Sequence, residues 1–229
     1  MEVFTHPPFD IEVERDGKYG TRFILTNWYQ LPLTAYVEEI TPVPDGHEGG
    51  IEHRFHLVDA LIRNGELLSP IPENLSTIHG VSHNAGRADA QPSIAAVVWE
   101  DGLTYGPPEL IHKVIARRRL SSLYHQHAID LLQTGLKEDW DANRWVSEGR
   151  SREEGQHVRT VDAELDMIVE FPLAVVVDNL MQVRRDKPED AKRVAKMLLE
   201  LELKEKAAVD AGLSAMENPA PSVPRICGN

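Results

Sequence analysis

An α+β fold, with antiparallel strands in the N-terminal half and helices in the C-terminal half, is what this sequence of 229 residues predicts. Two observations carry that expectation. Residues 1–108 hold 10 of the 15 prolines and 10 of the 15 glycines, set between short apolar runs that alternate with polar residues, whereas residues 109–229 contain long runs of helix formers. Charge divides at the same place: six Lys/Arg stand against 16 Asp/Glu up to Pro108, and 18 against 21 after it, within a net charge of −13. The expected organisation is a β region over 1–106, a helical region over 107–212 and a disordered tail over 213–229, where prolines and small residues dominate.

Taken in order, Phe9, Ile11 and Val13 alternate with Asp10, Glu12 and Glu14, the period of a strand with one face buried, and Asp16-Gly17 turns the chain. Residues 23–28 and 33–40 form the next two strands, with a turn at 30–32. After Pro42, Pro44 and Asp45-Gly46, the residues Ile51, His53, Phe55 and Leu57 alternate with Glu52, Arg54 and His56 in a fourth strand. Residues 69–86 read as loop, because Pro70, Pro72, Asn74, Gly80 and Gly86 punctuate them. The dense apolar run 94–100 is the most central strand. It leads into VVWEDGLTYG (97–106), where Asp101-Gly102 between apolar flanks predicts a two-residue type I′ hairpin with Trp99 opposite Thr104. Neighbouring strand side chains diverge, so Glu100 and Asp101 do not face each other as a catalytic carboxylate pair must.

Pro107-Pro108-Glu109 starts a helix, with proline in the first turn and an acid at its positive end. Leu110, Ile111, Val114, Ile115, Leu123, Ile129 and Leu132 give it an apolar face ending near Gly135. The polar stretch 137–156, interrupted by Gly149 and Gly155, reads as partly loop. A second helix is expected over about 161–185, kinked or split by Pro172. Asp186 would cap a third, in which Val194, Ala195, Leu198, Leu199 and Leu203 form a stripe and Gly212 is the stop.

The segments ILTNWYQLPLTAYV (24–37), AAVVWEDGLTYG (95–106) and ARRRL (116–120), in that order, resemble a pattern in uncharacterised bacterial proteins of acidobacterial type. That resemblance covers roughly the first 120 residues. It implies an immunoglobulin-like antiparallel β-sandwich ahead of the helical region, and it carries no catalytic residue over to this chain.

Among candidate sites, His79 and His83 are the best local pair for a metal, yet their four-residue spacing brings two imidazoles together only on a helix, and Gly80, Asn84 and Gly86 favour a loop. No HExxH pattern accompanies them. The run from Gly80 to Asn84 begins like a nucleophile elbow around Ser82 but lacks the closing glycine. His125 and His127 point to different sides of a helix, and His53 on the apolar face of its strand reads as a hydrogen-bonded core residue, with His56 toward solvent. Arg117, Arg118 and Arg119, about 100° apart on a helix, read as a solvated face with acidic partners rather than as a nucleic-acid stripe. Cys227, the single cysteine, excludes an internal disulfide and a thiolate cluster.

No glycine-rich phosphate loop is present, the acidic first half repels nucleic acid and anionic membranes, and the longest apolar run, 171–177, is far shorter than the ~20 residues of a membrane span. The expected function is a non-catalytic binding or assembly module without a cofactor. Its partner is a protein or a second copy, met through the C-terminal helices, because Leu198, Leu199, Leu201 and Leu203 occupy more than one helical face. The alternative is a hydrolase or metal-dependent enzyme using the loop of His79, Ser82 and His83. With no leader at its start the chain is cytoplasmic by default, or else a processed extracytoplasmic product.

Overall fold

A computed structural model describes residues 7–16, 20–29, 31–42, 54–62, 77–81, 90–154 and 172–219. Strands β1 (Phe9–Asp16), β2 (Gly20–Asn27), β3 (Leu33–Pro42), β4 (Arg54–Asp59), β5 (Thr77–Val81), β6 (Ala90–Trp99) and β7 (Thr104–Tyr105) precede helices α1 (Pro108–Lys137), α2 (Ala142–Glu154), α3 (Pro172–Asp186) and α4 (Ala191–Glu217). The α+β expectation holds in this form: two antiparallel sheets, then a mainly C-terminal helical part. One sheet has the order β1-β2-β5 and the other β4-β3-β6-β7.

Three apolar clusters follow from the alternation of side chains. Phe9, Leu25, Tyr29, Leu33, Tyr36, Ile94, Val97 and Trp99 meet between the two sheets. On the opposite face of the four-stranded sheet, Ala35, Val37, Leu57, Ala96 and Val98 pack against Leu110, Ile111 and Val114 of α1. Both faces of β3 and β6 are therefore covered, which is why their sequences are apolar runs rather than strict alternations. Two irregularities keep the pattern consistent. The β3–β6 register shifts between Leu33 and Ala35 and again between Val37 and Glu38, so Thr34 on β3 and Ala95 on β6 are each one residue extra, as in a β-bulge. Each extra residue turns the following side chains to the other face.

The third cluster is the core of the helices, where Leu131 and Leu132 of α1 meet Trp145 and Val146 of α2, Val176, Val177 and Leu180 of α3, and Ala195 and Leu198 of α4. Helix α1, about 45 Å long by its 30 residues, thus spends its first half on the sheet and its second half in the bundle. Among the described residues no helix is long and apolar enough to cross a membrane.

Several local expectations are corrected. Part of the segment read as loop, Thr77–Val81, is a strand paired with β2. Much of the polar stretch 137–156 is helix α2; Trp145, Val146 and Gly149 supply its buried stripe, too short for periodicity to stand out. Pro172 is the first residue of α3, as a proline without an N–H favours, and the expected start near 161 lies outside the described residues. Asp186 ends α3 instead of capping the next helix. Gly212 does not stop α4, which runs on to Glu217 into the segment expected to be a disordered tail. Its missing side chain leaves room for Leu61 and the Arg118 guanidinium, so close contact rather than chain reversal explains a glycine there. Residues 220–229, Cys227 included, and His53 lie outside the described residues.

Candidate functional site

The acidic hairpin is a structural device. Gly102 alone of its three loop residues has positive φ, +83°. Its N–H donates to the Trp99 carbonyl at 3.0 Å, and the Trp99 N–H donates to the Leu103 carbonyl at 2.9 Å. Three residues, Glu100, Asp101 and Gly102, therefore make the connection, and Thr104 pairs with Val98 instead of Trp99. The two-residue type I′ expectation fails because Asp101 keeps a negative φ and passes the left-handed position to Gly102. Asp101 accepts from the Leu103 N–H at 3.1 Å and from the Tyr29 hydroxyl at 2.6 Å, while Glu100 is exposed.

Burial, then the hydrogen bond to Asp101 and its charge, push the Tyr29 phenol from 10.0 up to about 12. The neutral phenol is the form favoured by folding, so its contribution is complete below pH 10 and is lost as pH rises through about 12. Burial also raises Tyr36 and Tyr124, so the contribution of Tyr29 must be isolated by difference. Thermal melts from neutral to strongly alkaline pH should show a steeper loss in the wild type than in Tyr29→Phe, which starts less stable. Equal slopes would show that this phenol does not couple to folding.

The basic run is likewise corrected. Arg117 and Arg118 are buried, and only Arg119 is solvent-facing, paired with Glu217 at 2.7 Å. Arg118 makes a two-pronged contact with Asp59, Nε to Oδ2 at 2.8 Å and Nη2 to Oδ1 at 3.2 Å, and also donates to the bulged Thr34 Oγ1 at 3.0 Å. Arg117 donates to the Leu57 carbonyl at 2.9 Å, and burial lowers its pKa against the opposing pull of Asp59. Positions 117 and 118 stand three and four residues after Val114, on the apolar face of α1, and that spacing was the available signal.

A second polar cluster lies where α1 and α4 pack antiparallel. His125 Nδ1 is 2.6 Å from Glu202 Oε2, both side chains being 4% exposed. Glu205 joins them, with one potential ligand atom from each of the three residues within 4.8 Å of the others. One turn away, the Ser122 hydroxyl donates to Asp210 at 2.5 Å, and Lys206 reaches the other Asp210 oxygen at 2.6 Å. Desolvation raises the Asp210 carboxyl, but the hydrogen bonds from Lys206 and Ser122 outweigh it and hold the pKa below the usual value.

Of the residues singled out in the sequence, His79 lies on β5 opposite Ile24 in the register, while Ser82 and His83 lie outside the described residues. The structure does not bring His127 to the cluster with His125. Comparison with protein families, with curated proteins and with solved structures finds no match to this chain.

Proposed function

We propose that the protein is a non-catalytic binding or assembly module whose contact surface is the outer side of the α1/α4 pair, with a second copy of the chain as partner. The observation that carries this reading is the placement of Leu123 and Leu203, 50% and 46% exposed. Leu123 follows Ser122 and Leu203 follows Glu202, residues that tie the two helices together. Because the helices are antiparallel, the same step of about 100° turns both leucines to one side of the pair. The pairs Arg119–Glu217 and Lys206–Asp210 flank them as a charged rim. The wide leucine distribution on α4 is weaker support, since Leu198 and Leu199 pack into the bundle core.

The immunoglobulin-like reading of the paired sheets belongs to the same proposal. Two antiparallel sheets around a shared apolar core support it, and α1 on the outer face of the four-stranded sheet departs from it.

A net charge of −13 opposes self-association, so screening should strengthen an apolar contact. Light scattering on the full chain should give a dimer whose fraction rises with protein and with salt. Leu123→Lys combined with Leu203→Lys should return a folded monomer. A wild type that stays monomeric at high concentration and high salt would sink the proposal, as would a double variant that dimerises equally well.

A further inference from the structure

We propose that His125, Glu202 and Glu205 form a binding site for a divalent first-row transition-metal cation, with zinc as the probe of choice. The proposal rests on the interior of the helix pair and is independent of the association surface. Glu202 and Glu205 are separated by three residues on α4, the spacing that places two side chains on one face, and His125 approaches from α1. Ligands contributed by facing helices are a common way to build a metal centre in a helical bundle.

The donor set is one imidazole nitrogen and two carboxylates. Imidazole suits zinc and its neighbours better than magnesium or calcium, whereas the carboxylates supply two negative charges that a divalent cation neutralises. Burial sharpens the electrostatic demand: His125 and Glu202 are both buried, and a carboxylate at that depth needs a cation or strong hydrogen bonds.

Geometry is compatible with a modest adjustment. Two ligands on a cation at about 2.1 Å lie roughly 3.0 to 3.4 Å apart in octahedral or tetrahedral sites. The His125–Glu202 separation of 2.6 Å would open slightly, and the third ligand would close from within 4.8 Å. The cation then takes the place of the hydrogen bond between Nδ1 and the carboxylate. It would clamp α4 to α1 about two to four turns before Gly212 and Met216, the α4 residues that touch Arg118.

The experiment uses the full chain, stripped with a chelator and titrated with ZnCl2 at buffered free zinc, with MgCl2 for comparison. Bound metal is counted by elemental analysis and stability is followed by thermal melting. One zinc per chain and an upward shift of Tm are expected, with no comparable effect of magnesium. Glu205→Gln, at a half-buried position that tolerates the amide, should keep its far-ultraviolet circular dichroism and lose about tenfold or more in zinc affinity. Cobalt substitution should give visible absorption bands in the wild type that His125→Gln alters. Substoichiometric zinc in the wild type would overturn the proposal. So would affinity unchanged in Glu205→Gln, because the metal would then be held by other groups among the ten histidines. If His125→Gln does not fold, the wild-type stoichiometry and the Glu205→Gln affinity decide the matter.

Discussion

Replacing Arg118 by alanine is expected to lower the folding free energy by about 3 to 5 kcal/mol, the range for breaking a buried ion pair from one side. The guanidinium and the Asp59 carboxylate are both 0% exposed, so the substitution leaves Asp59 out of water's reach without its two-pronged partner. Thr34 loses a donor at the same time, and its oxygen sits at the bulge that sets the face of β3. Lysine is no substitute, since one ammonium cannot span both Asp59 oxygens as the fork does. A double variant, Arg118→Met with Asp59→Leu, should recover part of the loss, because an apolar pair of similar volume carries no desolvation cost, while the buried Arg117 gives up the pull of Asp59. Urea unfolding with unchanged slope measures both variants. A small loss for Arg118→Ala, or a double variant worse than the single, would show that the pair is not the anchor between α1 and β4.

How much of this was legible in the sequence depends on whether a residue's partner lies nearby in the chain. The strands around Phe9 and Leu33 and the helix after Pro107 follow from local alternation, turn chemistry and the proline start, and they stand where expected within a few residues. The bulges at Thr34 and Ala95 left no local mark. Each is defined only by its neighbour strand, and the residues paired on either side of each bulge are more than 50 positions apart in sequence. Strand β5 was masked by the glycines and prolines around TIHGV, since pairing with β2 rather than propensity makes it a strand. The polar cluster was the least legible. His125 and Glu202 are 77 residues apart, and neither belongs to a recognisable motif. A partial signal did exist: His125 stands four residues before Ile129 and seven before Leu132, on the inward face, where a histidine needs a hydrogen-bond partner. Composition favoured solvent for Arg117 and Arg118 as well, although helical spacing placed them beside Val114.

Gly102→Val is expected to be the other severe substitution, and for two separable reasons. Its φ of +83° is a conformation that a β-branched residue resists, at about 1 to 3 kcal/mol. In addition, a Cβ at this position would run into the Ala215 carbonyl and come within 2.6 Å of the Met216 nitrogen, so the last turn of α4 has to move away from the hairpin. Backbone cannot yield as the end of a flexible side chain does, and Met216 is among the residues packed on the cluster between α1 and the sheet. The total loss should therefore exceed the strain alone, at about 3 kcal/mol or more. Shortening the chain to end at Ala211 removes the colliding segment and separates the two contributions. In that background Gly102→Val should cost only about 1 to 3 kcal/mol relative to the shortened parent. Glu100→Gln in the same loop, exposed and outside these contacts, should melt within about 0.5 kcal/mol of wild type. Equal costs in the full and shortened chains would mean that α4 does not abut the hairpin, and a wild-type melting curve for Gly102→Val would remove the turn geometry itself.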